Sequence, residues 1–360
     1  GETYLDCTAG LGGHAAAIAP ALSATGTIIL NDADPGNLAH AKARIEALPN
    51  APKVHAIHGN FAEIPWKLKD QSVDMLLADL GFASSQMDDA ARGFSFMRDG
   101  PLDMRLDPTL PTSAADLVNT LPEAELLRIL RDFGEEKAAR TIARKLVQTR
   151  RELPITTTSQ LAETVRSVVR PTGNGIHPAT RTFQALRIAV NDELREVDQL
   201  LRVAPACLNP GGRLALIAFH SLEDRIVKHH LRAAAHPETG EDTLALLTRK
   251  PVSPGEAELQ DNPRSRSARR TRSRWAPRST STSSWSDRGS SSRSSSWAAW
   301  ARASTSSSCG RGARTRSSPG PAASRTSASW TRTAMAPRRS SGTGRSARAS
   351  RSPPPPLARR

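Results

Sequence analysis

Short apolar runs rich in Ile, Val and Leu recur along the first half of the chain at Thr3–Asp6, Thr27–Asn31, Val54–His58 and Val73–Asp79, and again at Arg213–Phe219. Helical or turn-rich segments separate them, which is the βαβ rhythm of a parallel sheet buried on both faces. Between the fourth and fifth runs the period changes. Ala139, Ile142, Ala143, Leu146 and Val147 stand at i, i+3, i+4, i+7 and i+8, the stripe of an amphipathic helix. Leu126, Leu130 and Phe133 predict a helix before it, stopped at Gly134. Leu161, Val165 and Val168 predict one after it, entered through a Thr157/Gln160 capping box. A helical subdomain is therefore expected over 108–178, inserted into a sheet domain made of 1–107 and 179–268. One long helix carrying Phe183, Leu186, Val190, Leu194, Val197 and Leu201 leads back to the sheet, and Asn209-Pro210-Gly211-Gly212 turns the chain into the fifth strand. The fold class is α/β, a Rossmann-like sheet with an all-helical insertion.

Composition changes the picture at the C-terminal end. The net charge of +15 over 360 residues suggests a basic protein, but residues 271–360 hold 18 Arg, no Lys and one acidic residue, Asp287. The first 270 residues carry 32 basic and 34 acidic groups, so no basic field covers the folded part. The last 90 residues also contain 26 Ser, five of the six Trp, and a single Leu, Leu357, with no Ile, Val, Phe or Tyr. Such a segment buries no core, and 269–360 reads as a disordered Ser/Arg-rich tail. Its bias toward residues with G+C-rich codons suggests a shifted reading frame; the competing reading is an Arg/Ser arm that grips RNA phosphates. Gly1 opens almost directly on a strand, which suggests a shortened N-terminus. No stretch of 18 apolar residues is present, and Cys7, Cys207 and Cys309 have neither zinc nor disulfide spacing, so a reducing, cytoplasmic setting and no catalytic metal are expected.

The candidate chemistry lies at the strand ends. Asp6-Cys7-Thr8-Ala9-Gly10-Leu11-Gly12-Gly13-His14 follows the first strand, where an open α/β sheet binds nucleotide-type ligands and glycine lets backbone approach them. Its Gly-x-Gly-Gly spacing is not the dinucleotide fingerprint, so no pyrophosphate cradle is implied. The second strand delivers Asp32 about where ribose hydroxyls of an adenosyl ligand are accepted. Asp34, before Pro35, reads as a helix cap instead. The third strand leads to Phe61, able to lie on an adenine face or to serve as core, and the fourth delivers Asp79 to the same edge. An adenosyl ligand without phosphate points to S-adenosyl-L-methionine.

Four long motifs then carry a resemblance. Asp88-Asp89-Ala90-Ala91-Arg92-Gly93-Phe94-Ser95-Phe96, Gly100-Pro101-Leu102-Asp103-Met104-Arg105, the run from His177 to Ile188, and Phe219-His220-Ser221-Leu222-Glu223-Asp224-Arg225-Ile226-Val227-Lys228 resemble the ribosomal RNA small subunit methyltransferase H family, the cytosine-N4 methyltransferases of 16S rRNA. Asp261–Ala268 resembles that family's closing motif. The resemblance implies a methyl transfer from S-adenosyl-L-methionine to N4 of a cytidine in the decoding centre, with 16S rRNA of the small ribosomal subunit as partner and a homodimer as a possible state. It implies cofactor contacts at Gly12, Gly13, His14, Asp32, Phe61, Asp79 and Gln86; only His14 is added by resemblance alone. This chain departs from the family at Phe82-Ala83-Ser84-Ser85-Gln86, where Val-Ser-Ser-Pro-Gln is usual, and at Asn31, where an apolar residue is usual.

Asp79 is read either as the acceptor of the N4 proton or as a cofactor group only. Arg92, Phe94 and Phe96 are candidates to flank an unstacked base, and Arg181 and Arg187 to hold RNA backbone, with buried packing and structural ion pairs as the competing reading. His220–Asp224 reads first as a helix-opening capping box at Ser221 and Asp224, and His177 as a turn residue. The rival function is a catalytically silent RNA-binding or assembly protein of the same fold.

Overall fold

In the computed structural model, residues 1–68, 72–171, 177–235, 243–248 and 250–276 are described; the tail from 277 onward lies outside them. The strands are β1 (Thr3–Asp6), β2 (Thr27–Asp32), β3 (Lys53–His58), β4 (Val73–Asp79), β5 (Leu208–Ala218), β6 (Thr243–Leu246) and β7 (Arg269–Ala276). They form one sheet in the order β3-β2-β1-β4-β5-β7-β6. The first five are parallel, and β7 runs antiparallel between β5 and β6. The order reverses at β1, with β2 on one side and β4 on the other. The chain leaving these strands diverges to opposite faces of the sheet, and a crevice opens at their carboxyl ends.

The helices are α1 (Gly13–Ile18), α2 (Pro35–Glu46), α3 (Ile64–Leu68), α4 (Ser84–Asp88), α5 (Ala114–Thr120), α6 (Glu123–Asp132), α7 (Ala139–Glu152), α8 (Thr158–Arg166), α9 (Thr180–Asn191), α10 (Glu193–Val203), α11 (Ser221–Ala235) and α12 (Glu256–Asp261). Alternation along the central strands sends Tyr4, Ile28, Leu30, Met75 and Leu77 to one face, against Ile18 of α1 and Leu38, Ala41 and Ile45 of α2. Leu5, Ile29, Leu76, Leu214 and Leu216 go to the other, against Val197 and Leu200 of α10 and Val227 and Leu231 of α11. A third core joins α5–α9 through Val118, Leu126, Leu130, Ile142, Leu146, Leu161, Val165 and Leu186, and draws in Phe94, Leu102 and Met104 from the segment before α5. Each such aliphatic side chain contributes about 1.5–3 kcal/mol by leaving water.

Local sequence sets several boundaries. The Thr157 hydroxyl accepts from the Gln160 amide at 3.3 Å, and the Gln160 side chain accepts from Thr157 N at 3.1 Å, closing the expected box at the start of α8. Asn209–Gly212 interrupts the β4–β5 register between Val73/Leu208 and Met75/Arg213, so the expected turn is a bulge inside β5. Gly134 is not the left-handed helix stop that the pattern predicts. The next residue, Glu135, takes positive φ (46°), while a Cβ on Gly134 would stand 2.8 Å from the Arg181 carbonyl, so glycine there lets α6 and α9 approach.

Two expectations are corrected. The single helix predicted from Phe183 to Leu201 is two, broken at Asp192 in the left-handed region (φ 50°), which Asp tolerates better than most residues. The tail boundary at 269 also falls too early, because Arg269–Ala276 form β7 and pair with β5 from Ala218↔Arg269 to Arg213↔Arg274. This strand is poorly served: Arg272 Nε and Ser273 Oγ are buried without a hydrogen-bond partner. Burial, with Arg274 and Arg272 alongside, pulls Arg213 down to about 10.

Candidate functional site

A cavity of about 1030 Å³ occupies the crevice at the ends of β1, β2 and β4. Gly13, His14, Asp32, Phe61, Asp79 and Gln86 all line it, so six of the seven cofactor residues expected from sequence meet in one place. Gly12 is the exception. It is the left-handed N-cap of α1 (φ 74°), and a Cβ there would stand 3.0 Å from Ala41 Cα, so glycine serves the packing of α1 on α2.

At the β2 end the carboxylates are paired. Asp32 accepts from Gly10 N at 2.7 Å through Oδ2 and from Asp34 N at 2.8 Å through Oδ1, which pins the glycine turn to β2. Asp34 caps α2 by accepting from Gly36 N (2.9 Å) and Asn37 N (3.3 Å), as its place before Pro35 predicts. Its other oxygen takes Arg92 Nη1 at 2.6 Å and Gln86 Nε2 at 3.1 Å. Burial alone would raise Asp34, but Arg92 and Gln86 outweigh it and hold the carboxyl below its usual range. Asn31 donates to the carbonyls of Ile57 (2.7 Å) and Gly59 (2.9 Å), so this departure from the family tethers β2 to the end of β3.

At the β4 end they are not. Asp79 N donates to the Thr8 hydroxyl at 2.7 Å, which fixes the backbone, yet Asp79 Oδ1 is buried without a hydrogen-bond partner. So is His14 Nε2, whose other ring nitrogen lies 3.9 Å from Asp79 Oδ2, beyond hydrogen-bond range. Burial, then the nearby carboxylates of Asp6 and Glu223, lift Asp79 well above the usual carboxylate range. Burial also raises Asp6 to about 7 and lowers His14 to about 4. The ionisable groups at this edge of the crevice are thus pushed toward neutrality.

The expected RNA residues divide. Arg92 is a brace: besides Asp34 it donates through Nη2 to the carbonyls of Arg105 (2.9 Å) and Leu106 (2.8 Å), so three of its five N–H donors are spent on the fold. Phe94 is buried core, stacked on Phe82 with centroids 5.1 Å apart and planes 10° apart. Phe96 packs between His177 and Phe183. Arg181 is exposed and donates to the Glu135 carbonyl at 2.7 Å. Arg187 faces inward and lines the cavity, bound twice to Glu193 and lying over the Phe82 ring at 4.7 Å.

His220 and Glu223 form the cap that opens α11, one residue before the predicted Ser221/Asp224 pair. Glu223 Oε2 accepts from Phe219 N (2.8 Å) and His220 N (3.3 Å), and His220 Nδ1 accepts from Glu223 N (3.4 Å). His177 is the turn residue expected, its Nδ1 accepting from Ala179 N at 3.1 Å. Among the described residues, Glu193, His220 and Glu223 bring ligand-type atoms within 4.8 Å of one another. Arg187 already holds both oxygens of Glu193, so this is an ion-pair network with its own cation. Sequence reasoning missed Glu193, as well as Phe219 and the 256–267 segment, from which Glu258, Asn262, Arg264 and Ser265 close one side of the cavity. The closing motif at 261–268 was the available signal for that segment.

The sequence profile of the MraW methylase family matches residues 1–273, ending inside β7. Over 277 residues the chain is 48% identical to the Ribosomal RNA small subunit methyltransferase H of Acidobacterium capsulatum, a match covering 75% of this chain and 90% of that protein. The protein of the same name from Koribacter versatilis is 47% identical over 277 residues (75% and 86%), and that from Trichlorobacter lovleyi 46% over 285 (75% and 90%). With a crevice at the switch point of a β3-β2-β1-β4-β5-β7-β6 sheet and a match over most of its length, the chain belongs to the MraW methylase family.

Proposed function

We propose that the chain methylates 16S rRNA of the small ribosomal subunit, with S-adenosyl-L-methionine as methyl donor and the exocyclic N4 of a decoding-centre cytidine as acceptor. The observation that carries this reading is the unpartnered Asp79 Oδ1 beside the unpartnered His14 Nε2 on the wall of a cavity large enough for a nucleoside cofactor and a base. The residues fit that cofactor. Asp32, held by the Gly10 and Asp34 amides and the Asn37 side chain, keeps acceptor capacity for a ribose hydroxyl, and Phe61 on the same cavity wall offers a ring for adenine. Gly13 lets backbone approach at the start of α1, and Gln86 holds the far wall by accepting from Ala83 N and donating to Asp34. Bound cofactor supplies a methyl group already activated on a sulfonium.

The protein's task is placement and proton removal. Cytosine N4 is a weak nucleophile because its lone pair is delocalised into the ring; a carboxylate accepting one N4–H favours the pyramidal, attacking geometry and then takes the proton. The unpartnered Oδ1 of Asp79 on the cavity wall supports that role, and its raised affinity for protons makes its ionised form a stronger acceptor. The target base leaves its stack to reach the cavity, and exposed Arg181 contacts RNA backbone outside it. Incubation with assembled small subunits and cofactor, followed by nucleoside mass spectrometry of 16S rRNA, is expected to show new N4-methylcytidine. Product absent under conditions where the cofactor binds would support the rival reading of a silent RNA-binding protein.

A further inference from the structure

The break at Asp192 has a chemical result. By breaking the helix between α9 and α10 it sets Glu193 against Arg187 six residues earlier, where Oε1 accepts from Nε and Oε2 from Nη2, both at 2.8 Å. The pair is nearly sealed from solvent, with side chains 14% and 7% exposed. Phe82, three residues past Asp79, carries the guanidinium on its ring at 4.7 Å and is itself backed by Phe94. Arg187 is therefore held along one edge and one face. Nε–H and one N–H of Nη2 are spent on Glu193, which leaves both N–H groups of Nη1 and one of Nη2 on a residue that lines the cavity. Arg187 and Asp79 line the same cavity, and the Phe82 ring that carries the guanidinium sits three residues past Asp79.

From this placement, and resting on the N4-cytidine reading above, we infer that Arg187 reads the base: Nη1 donates to the N3/O2 edge of the extruded cytosine while Asp79 accepts from its N4 amino group. An amino donor followed along one edge by the N3 and O2 acceptors is the pattern that a carboxylate and a guanidinium match together. Uracil reverses it, turning O4 toward the carboxylate and an N3–H toward the guanidinium, so the same pair rejects it. Glu193 and Phe82 act as positioning residues that aim the guanidinium; an arginine this enclosed is out of reach of the RNA backbone.

The test uses the full chain loaded with S-adenosylhomocysteine and measures binding of cytidine, uridine and 3-deazacytidine, which lacks the N3 acceptor. Wild-type protein is expected to prefer cytidine over each of the others by about tenfold or more, the size of one hydrogen bond to a charged group. Arg187→Gln is expected to bring the three affinities within about threefold of one another with the S-adenosylhomocysteine affinity unchanged, and Arg187→Lys to restore part of the preference. Equal wild-type affinity for cytidine and 3-deazacytidine, no cytidine binding at all, or full discrimination by Arg187→Gln each overturns the inference. The wild-type comparison needs no variant to fold. N4-methylcytidine formed by a wild-type enzyme that shows no such preference would leave the methyltransferase reading standing and this one overturned.

Discussion

The two edges of one crevice are built on opposite terms. At the β2 edge every carboxylate has been given partners by the protein: Asp32 by two amides, Asp34 by two amides, Arg92 and Gln86. At the β4 edge, a few residues away, Asp79 and His14 are buried with a polar atom each left unserved. A buried polar group without a partner costs about 1–3 kcal/mol, so folding alone does not favour the second arrangement. The difference separates the two edges in kind: the carboxylates of the first are held in place by the protein, whereas Asp79 Oδ1 on the second has no partner within it. Substitutions at the two edges should therefore move different quantities.

The largest stability effect belongs to the completed edge. Asp34→Ala removes the α2 cap and strands Arg92 and Gln86, and is expected to cost about 3 kcal/mol in urea unfolding, with m unchanged. A loss under about 1 kcal/mol would mean that the β2 edge is not the scaffold described. The unserved edge gives a pH signature of similar size. His14 titrates near 4 in the folded protein against 6.5 when unfolded. As pH falls from about 6.5 to 4 the unfolded chain takes up a proton that folded His14 refuses. Its contribution is present above that window and is lost within it, by up to roughly 3 kcal/mol. His14→Gln should shrink the difference in unfolding midpoint between pH 7 and pH 4.5, and an unchanged difference would place the acid sensitivity elsewhere. The smallest effect is at the wall joining the edges. Phe82→Val, which restores the residue usual in the family, removes the ring under Arg187 and should cost about 1 kcal/mol of stability while weakening cytidine binding a few-fold; a gain in cytidine affinity would contradict the positioning role of that ring.

How far the fold was legible follows from the same physics. The strands at the centre of the sheet are aliphatic because both faces are buried, so β1, β2 and β4 stand out in the sequence. β7 is mostly Arg, Thr and Ser, with apolar residues only at its last two positions, so it merged with the Arg/Ser-rich stretch beyond it. The break at Asp192 was hidden because the apolar period of α9 continues in α10: Phe183, Leu186, Val197 and Leu201 keep one stripe across it. In the site, Asp32 and Asp79 were readable as strand-end carboxylates and Asp34 as a cap. The inward turn of Arg187 was not, because its partner Glu193 arrives only through that break, and the work of Gly12 was not, because Ala41 lies on another helix.

The central claim, that the unserved carboxylate at the β4 edge belongs to the reaction and not to the scaffold, is tested most directly by Asp79→Asn. With full-length protein, cofactor affinity by calorimetry and single-turnover methylation of small subunits are measured side by side. Turnover is expected to fall about a hundredfold or more while cofactor affinity changes less than about threefold. Equal losses in both would contradict the claim and reduce Asp79 to a cofactor ligand.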